Sequence, residues 1–259
     1  MEPVQAKKSL GQNWLKDETT LDYIVGQASL NDSDTVLEIG PGHGALTRKL
    51  VEKAGQVLTI ELDQDLIIDL KKTKAHNLEI RQGDFLQFDL DILPAGYKVI
   101  ANIPYYITGK IIRKLLTAQN QSDKIVLLVQ KEVAERLAAG PGGYSILGIS
   151  AQICANVELG MVVPAKSFDP VPKVDSQVVI LNPEKRFNIR DEKLFLKVVK
   201  AGFSERRKKL RSSLAGGLNL SKLDVENLLK QAHVDQNLRA QDLSIPEWSR
   251  ITTHLVEAR

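Results

Sequence analysis

The stretch Val36-Leu37-Glu38-Ile39-Gly40-Pro41-Gly42-His43-Gly44-Ala45-Leu46-Thr47 constrains this chain more than any other. An apolar run is followed by three glycines at every second position, and then a helical pattern begins. This order predicts a buried parallel strand, a tight turn and a helix N-terminus. Gly40, Gly42 and Gly44 allow a sharp turn and let a ligand approach the main chain with no Cβ in the way. In open α/β sheets, turns of this kind at strand carboxyl ends are where nucleotide-like ligands bind.

The glycine fingerprint leaves the ligand open. Gly40-x-Gly42-x-x-Ala45 satisfies the dinucleotide pattern, whose third position accepts alanine. It suits equally an adenosine ligand without a pyrophosphate, such as S-adenosylmethionine. Glu61 closes the next apolar segment, Val57–Glu61, and an acid about 20 residues beyond the glycines is placed to accept from ribose hydroxyls. A nicotinamide-dependent oxidoreductase and a methyl-transferring enzyme therefore both remain.

Strand and helix patterns alternate along the rest of the chain. Helices are expected at about 18–28, 63–72, 109–118 and 131–138, and strands at about 78–81, 97–101, 124–130, 149–159 and 176–181. Alternation of this kind gives a doubly wound α/β sheet. From about Pro183 the composition turns helical and basic, so residues 1–182 are read as one domain and 183–259 as a second. From Arg186 onward there are 15 Lys and Arg against 9 Asp and Glu, whereas the first 185 residues carry 20 against 23. A polyanionic partner for the tail fits that asymmetry, as does a solvated helix face. The single cysteine, Cys154, excludes a disulfide framework, and no apolar run approaches a membrane span. A cytoplasmic protein is expected, and nothing calls for more than a monomer.

The ligand question turns on Asn102-Ile103-Pro104-Tyr105-Tyr106, at the end of the 97–101 strand. An Asn-x-Pro-aromatic corner offers a carboxamide oxygen, a main-chain carbonyl freed by the proline, and a flat ring. These suit an exocyclic amine on a planar base, whose lone pair is delocalised into the ring. Two acceptors on its hydrogens favour the pyramidal nitrogen that attacks, and Tyr105 can hold the base by stacking. A dehydrogenase has no use for such a corner. Upstream, Gly83-Asp84 is a turn whose carboxylate could accept from an adenine amine. Downstream, Arg206-Arg207-Lys208-Lys209-Leu210-Arg211 places five cations within six residues, a pattern that suits phosphates.

Together, Gln12-Asn13, Glu38-Ile39-Gly40-Pro41-Gly42-x-Gly44, Glu61, Gly83-Asp84 and Asn102-Ile103-Pro104-Tyr105 resemble the ribosomal RNA adenine dimethyltransferases. The likeness runs from about Lys7 to Leu214. Phe168–Ser176 and the Arg206–Leu214 cluster resemble the small-subunit (KsgA-type) branch more than its Erm-type large-subunit sister. Trp14 departs from the family, which more often has Phe there.

The resemblance implies a Rossmann-like S-adenosylmethionine-dependent methyltransferase sheet with a small C-terminal all-helical, RNA-binding domain. It implies dimethylation of two adjacent adenosines near the 3′ end of 16S rRNA in the small ribosomal subunit, with a role late in subunit assembly. Asn13 and Leu15 would then close over the cofactor, and Gly40 and Gly42 would approach it through main chain. Glu61 would take the ribose and Asp84 the adenine. Asn102, which also borders the cofactor, and Pro104 would hold the target amine, while Tyr105 stacks on the target base. Arg206, Arg207, Lys208, Lys209 and Arg211 would meet rRNA. S-adenosylmethionine would leave as S-adenosylhomocysteine. No metal is expected, since His43, His76, His233 and His254 lack ligand spacing.

Overall fold

The computed structural model describes residues 5–257. Its first strands are near-continuous apolar runs, as expected of strands covered on both faces. Trp14–Leu15 (β1) is a two-residue strand, and Asp17 caps the helix Glu18–Gln27 (α1) through a bond from the Thr20 N–H at 2.9 Å. Thr35–Ile39 (β2) then leads through the glycine turn into Ala45–Val51 (α2). Gln56–Glu61 (β3), Gln64–Leu70 (α3) and Leu78–Gln82 (β4) follow, then Lys98–Asn102 (β5), Thr108–Thr117 (α4), Lys124–Gln130 (β6) and Lys131–Ala138 (α5).

The large sheet has the order β4-β3-β2-β5-β6, all parallel, so the chain winds outward from β2 in both directions. The topological switch point lies between β2 and β5, and ligands of such sheets sit outside the carboxyl ends there. Two further strands complete the sheet: Ser176–Pro183 (β9) lies antiparallel to β6, and Ala155–Val163 (β7) lies antiparallel to β9. Ile125–Val129 of β6 and Val99–Ala101 of β5 are fully buried at the centre. On one face Leu21, Ile24, Leu46 and Leu50 pack on Val36, Ile100, Val126 and Val178. Phe168–Asp169 (β8) pairs with β1 in a small separate sheet, Trp14 opposite Asp169 and Leu15 opposite Phe168.

The described chain forms two compact units, Met1–Glu135 with Ala155–Pro183, and Arg136–Cys154 with Glu184–Arg259. Residues 136–154 precede the composition boundary at 183, yet they cluster with the second unit. One reason is that the strand expected at about 149–159 does not form as such. Ile146–Gln152 is a helix (α6), capped by the Ser145 hydroxyl, which accepts from the Gly148 N–H at 3.0 Å, and the strand starts only at Ala155. Short apolar runs do not distinguish helix from strand by period alone. Here Ile146, Ile149 and Ile153 fall at helical spacing and pack into the second unit's core.

That core joins α6 to Glu192–Gly202 (α7), Leu210–Leu218 (α8), Lys222–Gln231 (α9) and Ile245–Glu257 (α10). Trp248 is its largest fully buried side chain, stacked on Phe203 with ring centroids 6.2 Å apart. Its ring presses on Gly202, where a Cβ would fall 2.3 Å from Cη2. Overpacking of this kind costs about 1–3 kcal/mol. Gly202→Ala should lower the free energy of unfolding of the helical unit by that amount, read as an earlier urea midpoint at unchanged slope.

Candidate active site

The carboxyl ends of β2, β3, β4 and β5 surround a cavity of about 240 Å³. Each end supplies one of the residues singled out in the sequence. Gly40 and Gly42 come from the turn after β2, Glu61 from the end of β3, Asp84 from the turn after β4, and Asn102, Pro104 and Tyr105 from β5 and the 3-10 turn Tyr105–Ile107. Asn13 and Trp14 reach it from the N-terminal segment. Leu15 does not line this cavity. Its side chain is buried in the core, and the residue borders a second cavity that also touches Gly40 and Asn102.

The turn needs its glycines. Gly40, Gly42 and Gly44 have φ of +65°, +60° and +77°, in the left-handed region that side chains disfavour. At Gly42 a Cβ would also fall 2.7 Å from Cδ1 of Trp14. The Gly42 N–H donates to Glu61 Oε2 at 3.2 Å, and the Asp63 N–H donates to Oε1 at 2.8 Å. Glu61 is only 6% exposed, and burial pushes its carboxyl above the ordinary value against the pull of these two N–H groups. Both oxygens are thus oriented by main chain while retaining lone pairs for a diol.

The N-terminal segment is tied down beside this carboxylate. Lys7 Nζ donates to Asp63 at 2.6 Å and to Asp65 at 2.7 Å, and Gln12 Nε2 donates to Asp63 at 2.9 Å. Burial works to raise the Asp63 carboxyl, but the bonds from Lys7 and Gln12 outweigh it and hold it below its usual range. Trp14 sits edge-on to His43 with centroids 4.2 Å apart, and His43 Nδ1 lies 3.0 Å from Asp69. The indole N–H of Trp14 is buried without a partner among the described residues.

At the β5 corner, Asn102 Nδ2 donates to the Asn13 carbonyl at 3.1 Å. The amide is therefore anchored by its nitrogen, and Oδ1 remains as an acceptor. The Pro104 carbonyl accepts two long contacts, from Ile107 N at 3.4 Å and Thr108 Oγ1 at 3.3 Å. The Tyr105 hydroxyl lies 2.6 Å from Ser176 Oγ, and burial raises its phenol above the ordinary value, with the Ser176 bond opposing. Asp84 is exposed and caps the turn Phe85–Gln87 by accepting from the Leu86 N–H at 2.8 Å through Oδ1. Its other oxygen has no partner among the described residues.

The basic cluster is not a helix face. Ser204–Lys209 is an exposed turn between α7 and α8. Lys208 pairs with Glu205 at 2.7 Å, Lys209 bonds Asn237 at 2.9 Å, and Arg211, on α8, pairs with Glu226 at 3.0 Å. Arg206 and Arg207 make no ion pair among the described residues.

Three supports leave no signature in the sequence: Ser176 on Tyr105, Asp63 on Gln12, and the β1–β8 pairing that brings Trp14 opposite Asp169. Each joins residues far apart in the chain through one or two contacts, too few to leave a periodic signal.

A glycine turn at the switch point, a buried carboxylate oriented by main chain and an Asn-Ile-Pro-Tyr corner around one cavity define a Rossmann-like, S-adenosylmethionine-dependent methyltransferase. The model of the ribosomal RNA adenine dimethylase family matches residues 4–257. The Ribosomal RNA small subunit methyltransferase A of Alkaliphilus metalliredigens is 42% identical over 258 residues, covering 95% of this chain and 90% of that protein. Its Desulfitobacterium hafniense counterpart is 43% identical over 261 residues, covering 96% and 91%. Among solved structures, a dimethyladenosine transferase from Plasmodium falciparum superposes with a TM-score of 0.80 at 29% identity, over 94% of this chain and 97% of that one. The 23S rRNA methyltransferase ErmE gives 0.74 at 27%, over 94% and 99%. The chain belongs to the ribosomal RNA adenine dimethylase family.

One buried acid stands behind the cavity wall. Glu38 is 1% exposed, accepts from the Thr47 hydroxyl at 2.6 Å, and is pushed up to about 8 by burial despite that bond. A carboxyl raised in the folded state binds its proton there more tightly than in the unfolded chain. Its contribution to stability is complete below the unfolded value and is lost as pH rises toward 8. Stability should therefore fall from pH 5 to 8 by up to about 1.4 kcal/mol per unit from this group. Glu38→Gln should flatten that slope in urea titrations at successive pH values, and identical slopes would clear Glu38.

Proposed function

We propose that this protein dimethylates adjacent adenosines near the 3′ end of 16S rRNA in the small ribosomal subunit, acting late in subunit assembly. The observation that carries the reading is the anchored amide of Asn102. It is held through Nδ2 by the Asn13 carbonyl and lines the cavity, which leaves Oδ1 as an acceptor. The small-subunit names of the curated relatives favour that target over the large subunit.

The residues present fit S-adenosylmethionine. Glu61 would take its ribose, Asp84 its adenine through the unengaged oxygen, and Gly40 and Gly42 would let it lie against main chain, with Asn13 closing over it. The cavity walls between these groups are apolar, from Ile39, Ile60, Leu66, Phe85 and Ile103. When bound, the sulfonium supplies an electrophilic methyl group and a good leaving group.

What the chain supplies is alignment. Asn102 Oδ1 and the weakly engaged Pro104 carbonyl would accept the two hydrogens of the target amine, turning its lone pair toward the methyl. Tyr105, fixed at its hydroxyl by Ser176, would stack on the base, which must leave any helix to enter. Fixing two reactants in this way supplies much of a displacement barrier. The amine proton can depart to water after attack, so no strong base is needed. A second round needs only room for the first methyl. The exposed Arg206 and Arg207, with Lys208, Lys209 and Arg211, would hold rRNA phosphates.

Two measurements test this. Labelled S-adenosylmethionine offered with undermethylated small subunits, large subunits and naked rRNA should yield dimethyladenosine in small-subunit rRNA alone. Label in large-subunit RNA would move the protein to the Erm-type large-subunit branch, and tight subunit binding without transfer would leave an assembly factor. In the same assay Asn102→Ala should lose about a hundred- to a thousandfold in turnover, the usual cost of removing one preorganised polar partner of a reacting group, with cofactor affinity nearly unchanged.

The cluster has its own test. Replacing Arg206 and Arg207 by alanine should reduce the slope of log affinity for small subunits against log salt by about 1–2, since each phosphate contact contributes roughly 0.7–0.9. An unchanged slope would remove the cluster from the RNA interface.

A further inference from the structure

Beside the cavity, one exposed face of the first unit has no assigned use. Tyr106 lines the cavity, yet it is 58% exposed. Its ring lies against the Gly11 main chain, where a Cβ would come 3.0 Å from Cδ1. The ring is thus held in place at the cavity mouth with much of its surface in water. Helix α4 follows at once and buries Thr108, Ile111, Ile112, Leu115 and Leu116. Its opposite face presents Lys110 and Arg113, both exposed, at the i, i+3 spacing that puts side chains side by side.

These two cations differ from their neighbour Lys114. Lys114 Nζ donates to the carbonyls of Leu86 at 3.0 Å and Phe88 at 2.6 Å and stands over the Phe85 ring, so the fold consumes it. Lys110 and Arg113 have no ion pair and no side-chain hydrogen bond among the described residues. A water-exposed ring at the mouth of the cavity, followed along the chain by two uncommitted cations, matches single-stranded RNA. Such strands are bound by stacking on aromatic faces and by cations along the backbone. An acidic peptide would satisfy the cations but leave the ring without a partner.

We propose that Tyr106, Lys110 and Arg113 form a ledge for the RNA that flanks the target adenosine. Tyr106 stacks on a neighbouring base, and Lys110 and Arg113 meet the phosphates beside it. The ledge rests on the activity proposed above, because Tyr105 places the target base next to it. It also separates two adjacent tyrosines by task, the half-buried one for the reacting base and the exposed one for its neighbour.

The test uses the full-length protein with undermethylated small subunits and labelled S-adenosylmethionine. The Lys110→Ala/Arg113→Ala double variant should keep its thermal midpoint, its S-adenosylmethionine affinity by calorimetry and its kcat. Its KM for subunits should rise about tenfold, and the salt slope of kcat/KM should fall by about 1–2. Tyr106→Ala should raise KM by a similar factor, whereas Tyr106→Trp, which keeps a stacking face, should restore it. Unaltered KM and salt slope in the double variant, with the parent protein active, would overturn the ledge alone. An inactive parent protein would overturn the ledge together with the activity beneath it. A Tyr106→Trp variant as impaired as Tyr106→Ala would show that the hydroxyl or the exact fit, not stacking, is what matters, and would also overturn it.

Discussion

The ligand end of the sheet depends on one buried carboxylate. Glu61 sits at the end of β3, and the two N–H groups that hold it come from the turn after β2 and from Asp63, which caps α3. Charge-assisted bonds of this type contribute about 1.5–3 kcal/mol each, and an unpaired buried carboxylate would cost more than that. The Gly42 N–H can point inward only because the turn runs through left-handed conformations, so the glycines and the acid are one device. Asp63, bonded to Glu61 through its N–H, receives Lys7 and Gln12 on its side chain. The cavity wall at Glu61 and the N-terminal segment beside it therefore share an anchor.

That coupling explains which parts of the protein were legible in the sequence. Strands such as Lys124–Gln130 and Gln56–Glu61 are buried along most of their length and announce themselves as apolar runs. The glycine turn is legible because left-handed φ at alternate positions admits few other residues. Asn102 and Tyr105 are legible as chemistry, since a polar residue ending a buried strand before a proline is unusual in a core. The supports of these residues are not. Ser176 is a small hydroxyl whose meaning lies in being 0% exposed and opposite Tyr105, which only the antiparallel β9 arranges. Trp14 and Leu15 form a strand too short for any period, paired with residues more than 150 positions away. The α6 error has the same origin. A short segment with scattered apolar residues, such as Ile146–Gln152, reads alike in either state until its cap, Ser145, and the surface it packs against are known.

The chemistry asks little of acid or base and much of geometry, and the polar groups follow that division. Carboxyls near the cavity are either oriented by main-chain donors, as Glu61 is, or buried behind the wall, as Glu38 is. In the proposed reaction Asn102, a neutral amide, would turn an oxygen toward the target amine. Neutral acceptors have an advantage here. A carboxylate in the same place would attract the sulfonium in the ground state as well as in the transition state, which tightens binding without raising turnover. Amide and carbonyl oxygens act on the amine hydrogens, whose acidity grows only as the nitrogen bonds to carbon, and so favour the transition state selectively.

The same distinction between committed and uncommitted groups governs the electrostatics of RNA binding. The net charge of +3 suggests a weak binder. Several cations of the first unit are already committed within the fold: Lys7 to Asp63, Lys49 to Glu18 and Asp22, Lys98 to Asp34, and Lys114 to two carbonyls. A paired cation displaces few counterions from RNA, because it must first give up its own partner. Affinity for a polyanion therefore follows the uncommitted cations, and Lys110, Arg113, Arg206 and Arg207 are among them. Total charge also weighs acids and bases equally wherever they lie. What a strand of RNA meets is the local sign of an exposed face, and at α4 and at the turn before α8 that sign is positive.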